Sequence, residues 1–186
     1  MTTKKKDITT YPYKWVGLPP KDFRKYRSWI NREKPGICGT YVSAVLIHYL
    51  FEQEYGKDLD QDLLIDGLRK PVDHYLPYKG TFPWDLKRGL SFALEDIDGW
   101  TAKMAMIPDF KVVEELSKEN PLPIAVGTTT AFGSSYKNHW LLVYAYGWNK
   151  NGKLFLKGYD NHGRYTAIVP ASQTFGCVWL EKIEIK

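Results

Sequence analysis

Two hydrophobic rhythms divide the chain. From residue 38 to residue 94 apolar positions recur every three or four residues, and from residue 100 onward they come as short runs between turn residues. Val42, Val45, Leu46, Tyr49 and Leu50 predict a buried helix that starts at Cys38 and ends near Gly56. Ahead of it, Phe23, Tyr26 and Ile30 mark the inner side of a short helix over 21–31. Asp58 or Asp60 is placed to cap a third helix, carrying Leu63, Leu64 and Leu68 and stopped by Pro71. Residues 72–81 read as a loop. Thr81, Pro83 and Trp84 then open a helix with Leu86, Leu90 and Leu94 on one face.

The second rhythm predicts strands over 100–106, 122–128, 139–146, 154–159, 165–169 and 178–185. A short helix over 110–116 interrupts them, with Val113 and Leu116 on one face. Asn151-Gly152 is a hairpin signal between two of these strands. Helices first and mostly antiparallel strands afterwards give an α+β class, with one domain over 21–186 and an N-terminal arm over 1–20. A cleft between a helical lobe and a sheet lobe is the default place for a site.

Composition narrows the function classes. The net charge of +5 is uneven: residues 1–37 hold ten basic and three acidic side chains, and the rest of the chain is net −2. The basic excess is a solvated N-terminal feature around Lys4-Lys5-Lys6, with no stripe across the body, so nucleic acid is not an expected partner. No apolar run is long enough to span a bilayer. Residues 2–13 lack the hydrophobic region of a signal peptide, which places the chain in the cytoplasm as written; removal of a leader would leave the same sequence. Two cysteines and scattered histidines give neither a disulfide framework nor metal-ligand spacing, so no metal and no cofactor is expected.

The chemistry-bearing residues are few. Cys38 follows Pro35 and Gly36 and opens the most buried helix. A thiol there meets unpaired backbone N–H groups and the positive end of the helix dipole, which favour the nucleophilic thiolate. Taken alone, Cys38 reads first as a small buried hydrophobe. His139 opens the most apolar strand, and the following strand ends at Asp160-Asn161. If those strands pair as a hairpin, the Asp160 carboxylate returns to His139, fixing one ring nitrogen and freeing the other for a thiol. Taken alone, His139 is also an ordinary strand-end histidine and Asp160-Asn161-His162-Gly163 an ordinary turn. His48 reads as a packed core residue, His74 as a loop residue and Cys177 as strand packing.

The order Cys at a helix start, His at a strand start, Asp or Asn after the next strand resembles the papain-like cysteine peptidase plan. The chain is most similar to the compact bacterial C39-like branch. Cys38-Gly39-Thr40-Tyr41-Val42-Ser43-Ala44, Gly80-Thr81-Phe82-Pro83, Pro123-Ile124-Ala125-Val126-Gly127, the apolar strand from His139 to Gly147 and Asp160-Asn161-His162-Gly163 carry the resemblance. It implies a helical lobe whose cysteine helix packs on a mostly antiparallel sheet, and a peptide or protein substrate. It also implies Cys38 as nucleophile, His139 as base and then acid, and Asp160 as the residue orienting the imidazole, with Asn161 as the alternative third member. The family's glutamine about six residues before the cysteine is replaced by Arg32; Asn31 is the nearest amide able to serve the oxyanion.

Three activities fit this set. The first is a peptidase cutting peptide or isopeptide bonds through a thioester acyl-enzyme. The second is a catalytically weak or inactive binding or regulatory module, and the third an acyl transferase using the same three residues. Residues 128–138, rich in Gly, Ser and aromatics just before His139, are placed to overhang the site.

Overall fold

The computed structural model describes residues 10–184, so the Lys4-Lys5-Lys6 segment lies outside the described residues. Four α-helices are assigned among them: α1 Cys38–Tyr55, α2 Gln61–Val72, α3 Pro83–Ala93 and α4 Pro108–Leu116. The strands are β1 Val16–Gly17, β2 Trp100–Ala105, β3 Ile124–Thr128, β4 His139–Trp148, β5 Leu154–Tyr159, β6 Ala167–Pro170 and β7 Thr174–Lys182. The class is α+β, with helices first and a mostly antiparallel sheet after, as the two rhythms predict.

The helix α1 is apolar all round: every residue from 42 to 50 is buried, so it is covered on all sides rather than along one stripe. It ends where Gly56 takes a left-handed conformation (φ 61°) and donates its N–H to the Glu52 carbonyl at 3.2 Å. Residues Pro20–Ser28 form a 3-10 helix rather than an α-helix. Its inward residues are accordingly Phe23, Tyr26 and Trp29, three apart, and Ile30 is only half-buried.

Two details of α2 differ from expectation. Asp60 caps it by accepting from the Leu63 N–H at 2.9 Å, yet Leu63 itself points to solvent. The inward residues are Ile65, Leu68 and Val72, because the face turned toward α1 and α3 is chosen by packing. Pro71 lies inside the last turn instead of stopping the helix, which ends one residue later. In α3, Leu86, Leu90 and Leu94 are buried as expected.

The sheet runs β2-β7-β3-β4-β5-β6, with β1 against the end of β4, and its ladders are antiparallel. The helices α1, α2 and α3 cover one face and α4 the other. Alternation along β4 sends Trp140, Leu142 and Tyr144 to the α1 side and Leu141 and Val143 to the α4 side, and a register shift between Val143 and Ala145 then turns Tyr146 to the α4 side. Residues 10–18 lie along the sheet: Tyr11 stands edge-on to Phe155 and the Leu18 N–H bonds Tyr144 O at 2.8 Å. Cys177 is buried on the α4 face, and both cysteines are free thiols.

Candidate active site

The first turn of α1 has no cap from its own neighbours, since Ile37 precedes it. The cap comes from the end of α2. Asp73 accepts from the Thr40 N–H at 2.8 Å and the Thr40 hydroxyl at 2.6 Å through one carboxylate oxygen, and from the Thr81 hydroxyl through the other. Gly39 is required there for a steric reason. A Cβ on it would stand 2.7 Å from Thr81 Cγ2 and 3.1 Å from Leu86 Cδ1. The Thr81 carbonyl in turn accepts from the Trp140 indole at 2.8 Å. The Cys-Gly-Thr turn, the Gly-Thr-Phe-Pro loop and the start of β4 therefore meet at one point.

Cys38 is half-buried. Burial first, and then the Asp73 charge, push its thiol up to about 11; the backbone N–H groups of Trp140, Gly39 and Cys38 pull the other way without prevailing. The helix-start argument for a thiolate thus meets a stronger opposing term, because the group that caps the helix is itself an anion. No hydrogen bond joins the thiol to the imidazole among the described residues.

His139 is buried (7% exposed) at the start of β4, and its Nε2 lies 2.8 Å from the Asp160 backbone carbonyl. A carbonyl only accepts, so Nε2 carries the proton and Nδ1 keeps the lone pair in the neutral ring. Nδ1 makes no hydrogen bond among the described residues. Burial and the neighbouring His162 hold the imidazole down to about 4, against the raising effect of the Asp160 carbonyl and carboxylate. Tyr136 stacks parallel to the ring (5.6 Å between centroids), and His162 lies 4.3 Å away, tilted.

The hairpin of β4 and β5 brings Asp160 to His139, but through the main chain and not the carboxylate. This corrects the carboxylate-to-imidazole bond expected from the sequence. The carboxylate is otherwise occupied: Oδ2 accepts from the Tyr136 hydroxyl at 2.8 Å, and Oδ1 from the His162 and Arg164 N–H groups at 2.8 and 2.9 Å. Its own turn and the 128–138 loop compete for it successfully because they lie closer in the fold. Asn161 is fully buried with φ 48°; its amide donates to the Trp140 carbonyl at 3.0 Å, and its Oδ1 has no partner among the described residues. Asn31 donates its backbone N–H to the Asn161 carbonyl at 2.9 Å and accepts from the Glu33 N–H at 3.3 Å. Its Nδ2 packs beside Gly36 and makes no hydrogen bond among the described residues.

Asp73, Tyr136 and His162 are site residues that sequence reasoning missed. Asp73 is far from Cys38 in sequence and sits in an unremarkable polar loop, and nothing periodic marks it. An open depression beside His139 is lined by Ser135, Tyr136, Asp160, His162 and Arg164. Away from this site, His48, Glu52 and Asp58 bring possible metal-donor atoms within 4.8 Å of one another. Those donors are already paired: His48 bridges the Tyr26 hydroxyl and Asp58 at 2.7 Å each, and Glu52 pairs with Lys25. No helix among the described residues is long and apolar enough to cross a membrane.

Comparison with known proteins gives one structural likeness to describe. The proform of Amb a 11, a cysteine protease and major ragweed pollen allergen, aligns over 96% of this chain and 69% of its own, with 13% identity and a TM-score of 0.40. No protein-family model and no curated protein matches the sequence.

Proposed function

We propose that the protein is a cysteine peptidase on the papain-like plan, of the compact C39-like kind, hydrolysing peptide or isopeptide bonds. One observation carries this reading. A thiol opening α1 and a buried imidazole opening β4 are tied to the same Thr81 loop, through Asp73 and through the Trp140 indole, and the imidazole's Nε2–H is fixed on a backbone carbonyl so that Nδ1 keeps its lone pair. Nδ1 takes the thiol proton as the Cys38 sulfur attacks the substrate carbonyl carbon, and both groups start neutral, so proton transfer accompanies attack. The same nitrogen returns the proton to the leaving amine, giving a thioester; water then attacks, again with Nδ1 as base, and frees the acid and the thiol. The Cys38 N–H and Asn31 Nδ2 are the candidate oxyanion donors. The amine leaves on the His139 side, where the Tyr136–Arg164 depression is available for it.

A second reading has a specific observation behind it. A thiol near 11 beside an imidazole near 4 is poorly poised at neutral pH, which suits a catalytically weak or inactive binding module. Incubation with a library of peptide amides, read by mass spectrometry with acid quenching, separates the two. The peptidase reading expects cleavage with an acyl adduct on Cys38. It also expects Cys38→Ala and His139→Ala each to lower cleavage by about a thousandfold or more. No adduct and no cleavage supports the module, and cleavage indifferent to Cys38→Ala removes Cys38 as the nucleophile. Transfer of the acyl group to an added amine in preference to water indicates an acyl transferase.

A further inference from the structure

We propose that Asp73 is a positioning residue for Cys38: its carboxylate joins the first turn of α1 to the Thr81 loop and sets a fixed negative charge beside the sulfur. For its bearing on catalysis this rests on Cys38 being the nucleophile. The geometry is the main support. Three donors from two segments, the Thr40 N–H, the Thr40 hydroxyl and the Thr81 hydroxyl, converge on one side chain from a third segment. An anion is comfortable at a helix start because the dipole favours it. The same anion cancels there the field that would otherwise favour a thiolate, so the helix gains order and the sulfur loses activation.

The other charged groups on the elements packed here are accounted for. Glu33, in the loop before α1, pairs with Arg69 of α2 at 2.6 Å. Asp85 of α3 pairs with Arg88 at 2.9 Å. The first turn of α1 carries no acidic residue. His74, next to Asp73 in the chain, is exposed, and His139 at the start of β4 is held neutral by burial. Asp73 forms no ion pair among the described residues, so its charge acts on the thiol without a counter-ion.

The test is the rate of Cys38 alkylation by iodoacetamide from pH 6 to 10, read by peptide mass spectrometry, with buried Cys177 as an internal report of unfolding. Asp73→Asn keeps an oxygen for Thr40 and removes the charge. It is expected to label Cys38 about tenfold faster at pH 7–8, with the whole profile moved to lower pH, since one charged neighbour shifts a pKa by one to three units. Thr81→Val loosens the joint but keeps the charge, and is expected to leave the profile in place. An unmoved profile in Asp73→Asn, or an equal move in Thr81→Val, overturns the proposal. If Asp73→Asn exposes Cys177, Asp73→Ser is measured instead; exposure of Cys177 in both makes Asp73 purely structural and also overturns it. His139→Ala is run alongside. If it labels like the parent, the peptidase reading fails while the Asp73 result stands.

Discussion

The chain holds two buried histidines under opposite regimes. His48, in the middle of α1, has both ring nitrogens taken: Nδ1 by the Tyr26 hydroxyl and Nε2 by Asp58, each at 2.7 Å. The ring is further boxed by Tyr26 and Trp29 edge to face. His139, at the mouth of β4, has one nitrogen on a main-chain carbonyl and one with no hydrogen bond among the described residues. Its face is covered by Tyr136 and approached by His162. Full satisfaction makes a histidine a strut, because any proton it gives up breaks a bond that holds the fold. A histidine satisfied at only one nitrogen is held as firmly but retains a site for chemistry. Burial alone does not separate the two; the hydrogen-bond inventory does.

The sharpest way to break this contrast is to remove each ring. His139→Ala is expected to abolish cleavage while the urea midpoint changes little. His48→Ala is expected to cost about 3 kcal/mol of stability, from a cavity and a buried Tyr26 hydroxyl left without a partner. In that variant Cys38 reactivity should stay intact at temperatures where the protein remains folded. Equal losses of stability in the two variants would erase the distinction.

An effect of similar size is expected from pH. His139 titrates near 4 when folded and near 6.5 when unfolded, so the unfolded chain binds the extra proton between those values. Stability should therefore fall as pH drops from about 6.5 to about 4, by about 3 kcal/mol in total from this group, and no further below. Chemical unfolding of the parent and His139→Gln at pH 7, 5.5 and 4 measures it: the parent should lose stability relative to the variant as pH falls. A constant offset would mean that His139 takes up its proton at the same pH folded and unfolded.

The smallest effect sharpens the role of the Asp160 carboxylate. Tyr136→Phe removes one hydrogen bond to Oδ2 and keeps the ring over His139. The expected loss is about 1 kcal/mol, read as a lower urea midpoint, with cleavage reduced less than tenfold. A loss of activity as large as that of His139→Ala would mean that the carboxylate acts on the chemistry directly.

Much of the fold was legible because its causes are local. The span of α1 follows from an unbroken apolar run closed by Gly56, and the β4–β5 hairpin from two apolar runs around Asn151-Gly152. The 3-10 helix was misread because Phe23 and Tyr26 fit periods of both three and three and a half; only the burial of Trp29 decides. On α2, Leu68 is buried as its apolar spacing predicts and Leu64 packs partly against the core, but Leu63, equally apolar, faces solvent because packing against α1 and α3 chooses the face.

For the candidate site, the sequence by itself determined which chemistry-bearing residues stand at element starts and ends: Cys38 opening α1, His139 opening β4, and Asp160 closing the strand after it. Local periodicity suffices for that. Tertiary structure alone decided that the Asp160 carbonyl holds the imidazole, that its carboxylate holds Tyr136, and that Asp73 stands beside the thiol. These contacts join segments far apart in the chain, and which acceptor a donor finds depends on distances that no local pattern encodes. The state of the thiol follows the same rule. Helix position favours the anion, but desolvation and a neighbouring charge outweigh it, and both arise only when the chain has folded.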